Sequence, residues 1–288
     1  MCEGKAISGT WQVGYKVKGL VAEEKDFAFR DWLLVRGIPP SDNAEVLMQV
    51  TAENDDVMRE RSHSILKSIT QIYSLVSDRY IEILPGTAYA EVSSDRPFGF
   101  LKYFGGLTMM PVYNEDQRAE HASFLRKALE KYDSVKSIFQ DRKKSYLRNA
   151  IDYYTRSLGD SRLEEKLIDG MISLESLFSS DVQELRLRIS LRSSFFLSVG
   201  RENELPKIFG KVYSLYGKRN KVVHGIEGVA LDCSEISEFQ GYVRRAIRRF
   251  IHIDMPKKRI LMLTDRSVYD EEKRDELVRI ISEAGRRW

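Results

Sequence analysis

The stretch KVYSLYGKRNKVVHG, residues 211–225, decides how the C-terminal half of the chain is organised. Gly225 favours a helix end there, because glycine accepts the left-handed backbone conformation that closes helices. The stretch therefore predicts a helix that packs on a core and ends near Gly225. Its buried face is an apolar ladder at three- and four-residue spacing, formed by Ile208, Val212, Leu215 and Tyr216.

Arg219 and His224 stand five residues apart near the end of this helix. At 100° per residue, their side chains lie about 140° apart around the helix axis and cannot lie side by side. They can flank a groove, particularly one that a second copy of the helix completes. The spacing therefore favours a site that a homodimer shares.

The composition describes an ordinary globular chain, long enough for two cores: 288 residues, 42% apolar and 31% charged. No apolar run approaches the roughly 18 residues that span a bilayer. The N-terminus, MCEGKAISGT, lacks the basic start and apolar run of a signal peptide. Two cysteines make no disulfide framework, and the four histidines are scattered. We expect a cytoplasmic protein with no membrane association, no metal site and no cofactor.

Positive charge concentrates around the Arg/His stretch. Residues 205–260 hold 12 Lys or Arg against five Asp or Glu, although the net charge of the chain is only +3. Such a field suits an enzyme that handles a polyanion, and a solvated surface is the alternative. The same alternatives, a phosphate-tracking surface or a solubilising face, apply to the arginine stripe Arg244, Arg245, Arg248 and Arg249.

Two patterns divide the chain near residues 109–117. Alternating apolar residues predict strands over 11–17, 26–35, 44–51, 80–84, 88–92 and 98–104, with one helix from Asn54 to about Arg79. Helical periodicity then predicts helices over 118–132, 135–158, 162–178, 181–199, 205–223, 234–253 and 269–284. We expect the α+β class: a mixed α/β domain of unknown role over 1–112, followed by an all-α helical bundle over 117–288.

Glu175 stands amid the apolar residues of the helix predicted over 162–178, where a carboxylate must be paired. Arg219 is one candidate partner, and this pair would orient the guanidinium. Arg188 and Arg192, one turn apart on the helix predicted over 181–199, are the alternative partners.

These helices resemble the ApeA-like subgroup of the HEPN domains over roughly residues 117–255. Three ordered motifs carry the resemblance: DGMISLESLF at 169–178, LRLRISLR at 185–192, and LYGKRNKVVHG at 215–225. The resemblance implies a HEPN-type helical bundle in which an Arg-polar-x-x-x-His arrangement ends a helix. It does not extend to residues 1–112, and in this family such attached domains often serve as sensors or partner-binding parts.

The resemblance further implies metal-independent RNA cleavage by a homodimer whose Arg/His pairs face each other, in a toxin or antiviral defence effector. An antitoxin or other regulator would then be a further partner besides RNA. Arg219, Asn220 and His224 are the implied catalytic residues, and the products would carry 2′,3′-cyclic phosphate ends. The supporting residues are Glu175, Arg188, Arg192 and Tyr216, and the RNA-binding residues are Lys218, Lys221, Arg244, Arg245 and Arg248.

Two other hypotheses fit the same residues. The first is a non-catalytic HEPN module that binds RNA or nucleotides or acts as a dimerisation scaffold, with RNA affinity that falls with salt and no cleavage. In the second, the pair is structural: Arg219 pairs with Glu175, His224 caps the helix end, and the function lies in residues 1–112.

Overall fold

A computed structural model describes residues 9–18, 27–30, 33–38, 43–53, 55–77, 82–83, 89–92, 115–180 and 184–285. The chain splits into two compact units, Met1–Ser134 and Val135–Trp288. The domain ranges expected from the sequence, 1–112 and 117–288, stay a prediction.

Among its described residues, the first unit contains paired strands, one complete helix and the first part of a second helix that begins at Glu115. Over the described residues the strands are β1 (Gly9–Lys18), β2 (Phe27–Arg30), β3 (Leu33–Ile38), β4 (Asn43–Ala52), β5 (Glu82–Ile83) and β6 (Tyr89–Val92). Their backbones pair antiparallel in the order β2-β3-β4-β1-β5, and β6 also pairs with β1. The strand expected over 98–104 and the helix cap expected at Asn54 lie outside the described residues.

Helix α1 (Asp55–Ser77) of this unit has the periodic apolar face that its sequence predicts. Leu66, Ile69, Ile72 and Tyr73 are all buried on it, at the three- and four-residue spacing of one helix face.

The expected fold class, α+β with a mixed α/β domain at the N-terminus, is wrong. Fold class follows from the elements whose side chains pack a core. Side chains are described for only part of the chain. Of the residues in that part, 84% lie in helices, and these residues form no sheet with one another. Val50 is the one strand residue in the described core. By the residues described with their side chains, the protein is therefore helical. Alternation of apolar residues favours strand pairing, but it does not establish that paired strands pack their side chains into a core.

Eight further helices follow over the described residues. They are α2 (Glu115–Gln140), α3 (Ser145–Gly159), α4 (Leu163–Phe178), α5 (Leu185–Ser198), α6 (Leu205–Val223), α7 (Cys233–His252), α8 (Lys257–Arg266) and α9 (Glu271–Gly285). Short 3-10 turns, Arg142–Lys144 and Glu202–Glu204, precede α3 and α6. None of the described helices is both long and apolar enough to cross a bilayer.

Helix α6 begins and ends at the predicted residues, and the two largest differences from prediction lie in other helices. The helix expected to stop at residue 132 continues to Gln140, and the break comes at Asp141. The Asp141 carboxylate accepts a hydrogen bond from the backbone N–H of Lys143 at 2.8 Å, which caps the following 3-10 turn. The second difference is the additional helix α8, which starts directly after Pro256.

Helix α4 lies at the centre of the second unit, where it packs against α3, α5, α6 and α7. Phe178 at its end joins Phe196 of α5 and Phe250 of α7 in an aromatic cluster with ring centroids 4.7–5.4 Å apart. All three rings are fully buried. The two edge-to-face contacts of Phe178 add to the apolar burial that holds the three helices together.

Gly170 lies where α4 packs closely against α7. A Cβ added there would be 2.8 Å from Cε1 of Phe239. We therefore expect Gly170→Ala to destabilise the protein by about 1–3 kcal/mol, despite the higher helix propensity of alanine. Gly210→Ala on α6 is the matched control, because no atom lies within 4 Å of its added Cβ, and it should stabilise by about 0.5–1 kcal/mol. Urea denaturation measures both, and an unchanged midpoint for Gly170→Ala would contradict the close packing.

Candidate active site at the end of helix α6

Glu175 of α4 and Arg219 of α6 form an ion pair, with Nη2 of the arginine 3.7 Å from Oε1 of the glutamate. The hydroxyl of Tyr216, nearly one turn before Arg219, donates a hydrogen bond to the same oxygen at 2.7 Å. The half-buried carboxylate among the apolar residues of α4 is thus paired, as the sequence predicts. Of the candidate partners of Glu175, the structure selects Arg219.

Arg188 and Arg192, the alternative partners, are held elsewhere. Arg192 is only 5% exposed, and its Nε and Nη2 donate to the two carboxylate oxygens of Asp265 on α8 at 2.7 and 2.8 Å. Its Nη1 donates to the carbonyl of Phe178 at 2.7 Å. Arg188 is half-buried and lies 3.8 Å from the carboxylate of Glu184. Arg192 therefore connects α5 with α4 and α8, and the ion pair described for Glu175 is the one with Arg219.

Tyr216 is a fixed hydrogen-bond donor in this arrangement. Burial raises the pKa of its phenol well above the ordinary value, and the hydrogen bond to the Glu175 carboxylate raises it further. The phenol therefore keeps its proton across the neutral range. Its ring lies 5.7 Å from Cζ of Arg219, within the range of a cation–π contact. Glu175 and Tyr216 together hold the guanidinium of Arg219 in one orientation.

The guanidinium of Arg219 has one buried donor without an acceptor. Its Nη1 donates to Oδ1 of Asn220 at 3.3 Å, while its Nε is buried and has no hydrogen-bond partner within the described part of the chain. A buried N–H left unpaired costs about 1–3 kcal/mol. The site therefore keeps a charged donor that the described residues do not fully satisfy.

His224 is exposed at the C-terminal end of α6. Its backbone N–H donates to the carbonyl of Asn220 at 3.0 Å, and Gly225 follows with a φ of +69°. Glycine is thus the left-handed residue that closes the helix, as its sequence predicts. Within the described residues, no hydrogen bond or ion pair joins the imidazole of His224 to Arg219. At 100° per residue, the positions of Arg219 and His224 lie about 140° apart around the axis of α6.

The predicted RNA-binding residues differ in their exposure and in the carboxylates that they contact. Lys218 donates to Glu235 at 2.6 Å, and Arg245 lies 3.4 Å from Glu204. Lys221 is exposed. Arg244 and Arg248 are half-buried on α7. Lys218 and Arg245 are therefore engaged with carboxylates inside the second unit.

Three glutamates reduce the positive field that the sequence suggests around α6 and α7. Glu204 and Glu235 pair with Arg245 and Lys218, and Glu238 lies 2.7 Å from Nζ of Lys207 and 3.2 Å from that of Lys211. The hydrogen bond from Lys207 lowers the pKa of Glu238 to about 2, so this carboxylate is ionised at neutral pH. A count of charges along the chain does not distinguish these paired cations from free ones.

No known family model, curated protein or solved structure matches the chain. What the fold and the site define is a helical protein with a carboxylate-held arginine and an exposed histidine at one helix end. Among the described residues, no group of three or more His, Cys, Asp or Glu side chains could hold a metal ion. The resemblance to the HEPN domains rests on the three sequence motifs.

Proposed function

We propose that the protein is a metal-independent HEPN endoribonuclease of the toxin or defence-effector type. The observation that supports this most is the setting of Arg219. Glu175 and Tyr216 hold its guanidinium, and the helix that carries it ends at the exposed His224. A permanent positive charge and a titratable imidazole are the two groups that RNA cleavage by the substrate's own 2′-hydroxyl needs.

In the proposed reaction, the 2′-oxygen attacks the adjacent phosphorus and the bond from phosphorus to the 5′-oxygen breaks. The products carry a 2′,3′-cyclic phosphate and a 5′-hydroxyl. Imidazole is the side chain suited to exchange protons near neutral pH. His224 of one copy would take the proton of the 2′-hydroxyl, and the imidazole of a second copy would protonate the leaving oxygen.

Arg219 would stabilise the negative charge that builds on the phosphoryl oxygens. Its planar fork matches two phosphoryl oxygens, and a fixed donor of this kind needs little rearrangement as the charge develops. Glu175 and Tyr216 would act as positioning residues. Asn220, which accepts a hydrogen bond from Nη1 of Arg219 at 3.3 Å, would help to hold the same group.

The active form in this proposal is a homodimer. Because Arg219 and His224 lie about 140° apart around α6 by helix geometry, a groove between two copies would bring the required groups together. Val223 and Ile226, on either side of His224 in the sequence, are 52% and 54% exposed. Apolar side chains this open are suited to a contact with a second copy. RNA is the substrate, and a regulator or antitoxin that holds the enzyme inactive is the further partner.

The test is RNA cleavage by the purified protein with EDTA present, next to His224→Ala. We expect EDTA-resistant cleavage that leaves cyclic phosphate ends, and a loss of about 100- to 10,000-fold in the variant. Circular dichroism should show an unchanged fold, because the exposed imidazole contributes little packing. Cleavage by His224→Ala at the parent rate would overturn the proposal.

A second candidate of the same class is a non-catalytic module for RNA binding or dimerisation. It is favoured by the engagement of Arg219 with Glu175, which partly neutralises the charge that catalysis would use. This candidate predicts RNA affinity that falls with rising salt, and no cleavage by either protein.

A further inference from the structure

A row of stacked planar groups lies on the exposed side of α6. The rings of Phe209 and Tyr213 stack with centroids 5.6 Å apart and planes at 17°. The guanidinium of Arg186, from α5, lies 3.7 Å from the centroid of the Tyr213 ring. Tyr213 is 37% exposed, so the row faces solvent. We call these three residues the stacking row.

Gly217 makes room for the guanidinium of Arg186. A Cβ at residue 217 would lie 2.9 Å from Nη2 and 3.0 Å from Cζ of Arg186. Glycine inside a helix costs about 1 kcal/mol relative to alanine. Arg186 is also fixed by a hydrogen bond of 2.9 Å from its Nε to the carbonyl of Tyr213. The plane of the Arg186 guanidinium is thus fixed by the Tyr213 ring on one side and by the backbone of α6.

The two terminal nitrogens of Arg186 make no hydrogen bond or ion pair with any described residue. This distinguishes Arg186 from Arg192, Lys218 and Arg245, which all contact carboxylates. Nη1 and Nη2 therefore form an unpaired planar fork, held in place through Nε and the stacking. A fork of this kind matches the oxygens of a phosphate group.

The stacking row and His224 lie on the same stripe of α6. The guanidinium of Arg186, which belongs to the row, lies beside Gly217. Gly217 and His224 are seven residues apart, which corresponds to about 10 Å along the helix axis and about 20° around it. A strand of RNA bound at the row can therefore run along α6 to the imidazole.

We infer that the stacking row is a subsite for single-stranded RNA. An unpaired base packs against the exposed part of the row, in which the guanidinium of Arg186 covers one face of Tyr213. A neighbouring phosphate accepts hydrogen bonds from Nη1 and Nη2 of Arg186. The inference deepens the proposed function, since it takes RNA as the ligand. It specifies unpaired RNA, because bases within a duplex do not offer their faces to an aromatic ring.

The test measures RNA binding by the full chain carrying His224→Ala, so that the RNA stays intact. The probes are a 5′-fluorescein-labelled oligouridylate and an abasic oligonucleotide of the same length, followed by fluorescence anisotropy at several salt concentrations. Arg186→Gln and Tyr213→Ala are introduced into this background. Arg279→Gln, which removes an exposed charge from α9, is the matched control.

We expect Arg186→Gln and Tyr213→Ala each to raise the Kd for oligouridylate by about 5- to 100-fold. Arg186→Gln should also reduce the salt slope by about 0.7, the value for one phosphate contact on a single strand. Tyr213→Ala should raise the Kd for the oligouridylate more than the Kd for the abasic oligonucleotide. The abasic probe has no base to stack and loses only the support that the Tyr213 ring gives to Arg186. Arg279→Gln should bind both probes as the parent does.

Equal affinity of Arg186→Gln and Arg279→Gln for oligouridylate would overturn the inference, and so would a parent that binds no RNA. If Arg186→Gln changes the oligomeric state but not the RNA affinity, the row is a contact between copies. Failure of the proposed function gives a different result. A wild-type protein that binds RNA through the row without cleaving it would overturn the ribonuclease and support the subsite.

Discussion

Replacing Arg192 by alanine is expected to destabilise the protein by about 2–4 kcal/mol. The buried guanidinium connects α5 with Asp265 of α8 and with the carbonyl of Phe178 at the end of α4. Its removal leaves that carbonyl without one of its donors and opens a space in the core. Asp265 is 46% exposed and can regain water, which keeps the expected cost below that of breaking a fully buried pair.

Arg188→Ala is the matched control for this prediction. Arg188 lies one turn before Arg192 on α5 and its side chain is 40% exposed. The ion pair described for it is 3.8 Å long and reaches a glutamate that is 68% exposed. Exposed pairs of this kind contribute about 0–1 kcal/mol. Urea denaturation followed by circular dichroism compares the two variants. If Arg192→Ala unfolds at the same urea concentration as Arg188→Ala, Arg192 does not hold the helices together as its contacts indicate.

The parts of the site that follow from local sequence rules could be predicted. The apolar ladder and Gly225 fix the ends of α6, and they place Arg219 and His224 on its last turns. The pairing of Glu175 with Arg219 follows from a general requirement, because a carboxylate on an apolar helix face needs a partner. The sequence alone left Arg188 and Arg192 as alternative partners of Glu175, because it does not give the distances between helices.

The contacts that depend on distant segments could not be predicted. Arg192 finds its carboxylate at Asp265, 73 residues further on, in a helix that the apolar pattern did not reveal. The stacking of Arg186 on Tyr213 also needs the relative position of α5 and α6. Its one local signal was Gly217, a residue of low helix propensity in the middle of a helix. The strand pattern of the N-terminal third likewise predicted pairing without establishing a packed sheet.

Arg219→Lys is expected to lower RNA cleavage by about 100- to 1,000-fold, although it keeps the positive charge. Lysine has a single ammonium group and cannot offer two parallel donors to a phosphoryl group while it also contacts Glu175. The loss should appear in kcat more than in KM, because the second donor matters most when charge builds on the phosphoryl oxygens. Single-turnover cleavage of a labelled RNA measures the rate.

Tyr216→Phe is the graded companion to Arg219→Lys. It keeps the ring near Arg219 and removes the hydroxyl that donates to Glu175 at 2.7 Å. Glu175 then holds the guanidinium less firmly. We expect the cleavage rate to fall by about 10-fold, because the guanidinium is misplaced but keeps its charge. The free energy of unfolding of both variants should lie within about 1 kcal/mol of that of the parent, since the ion pair is partly exposed. If Arg219→Lys cleaves RNA as the parent does, or loses stability instead of activity, Arg219 is a structural residue that ties α6 to α4.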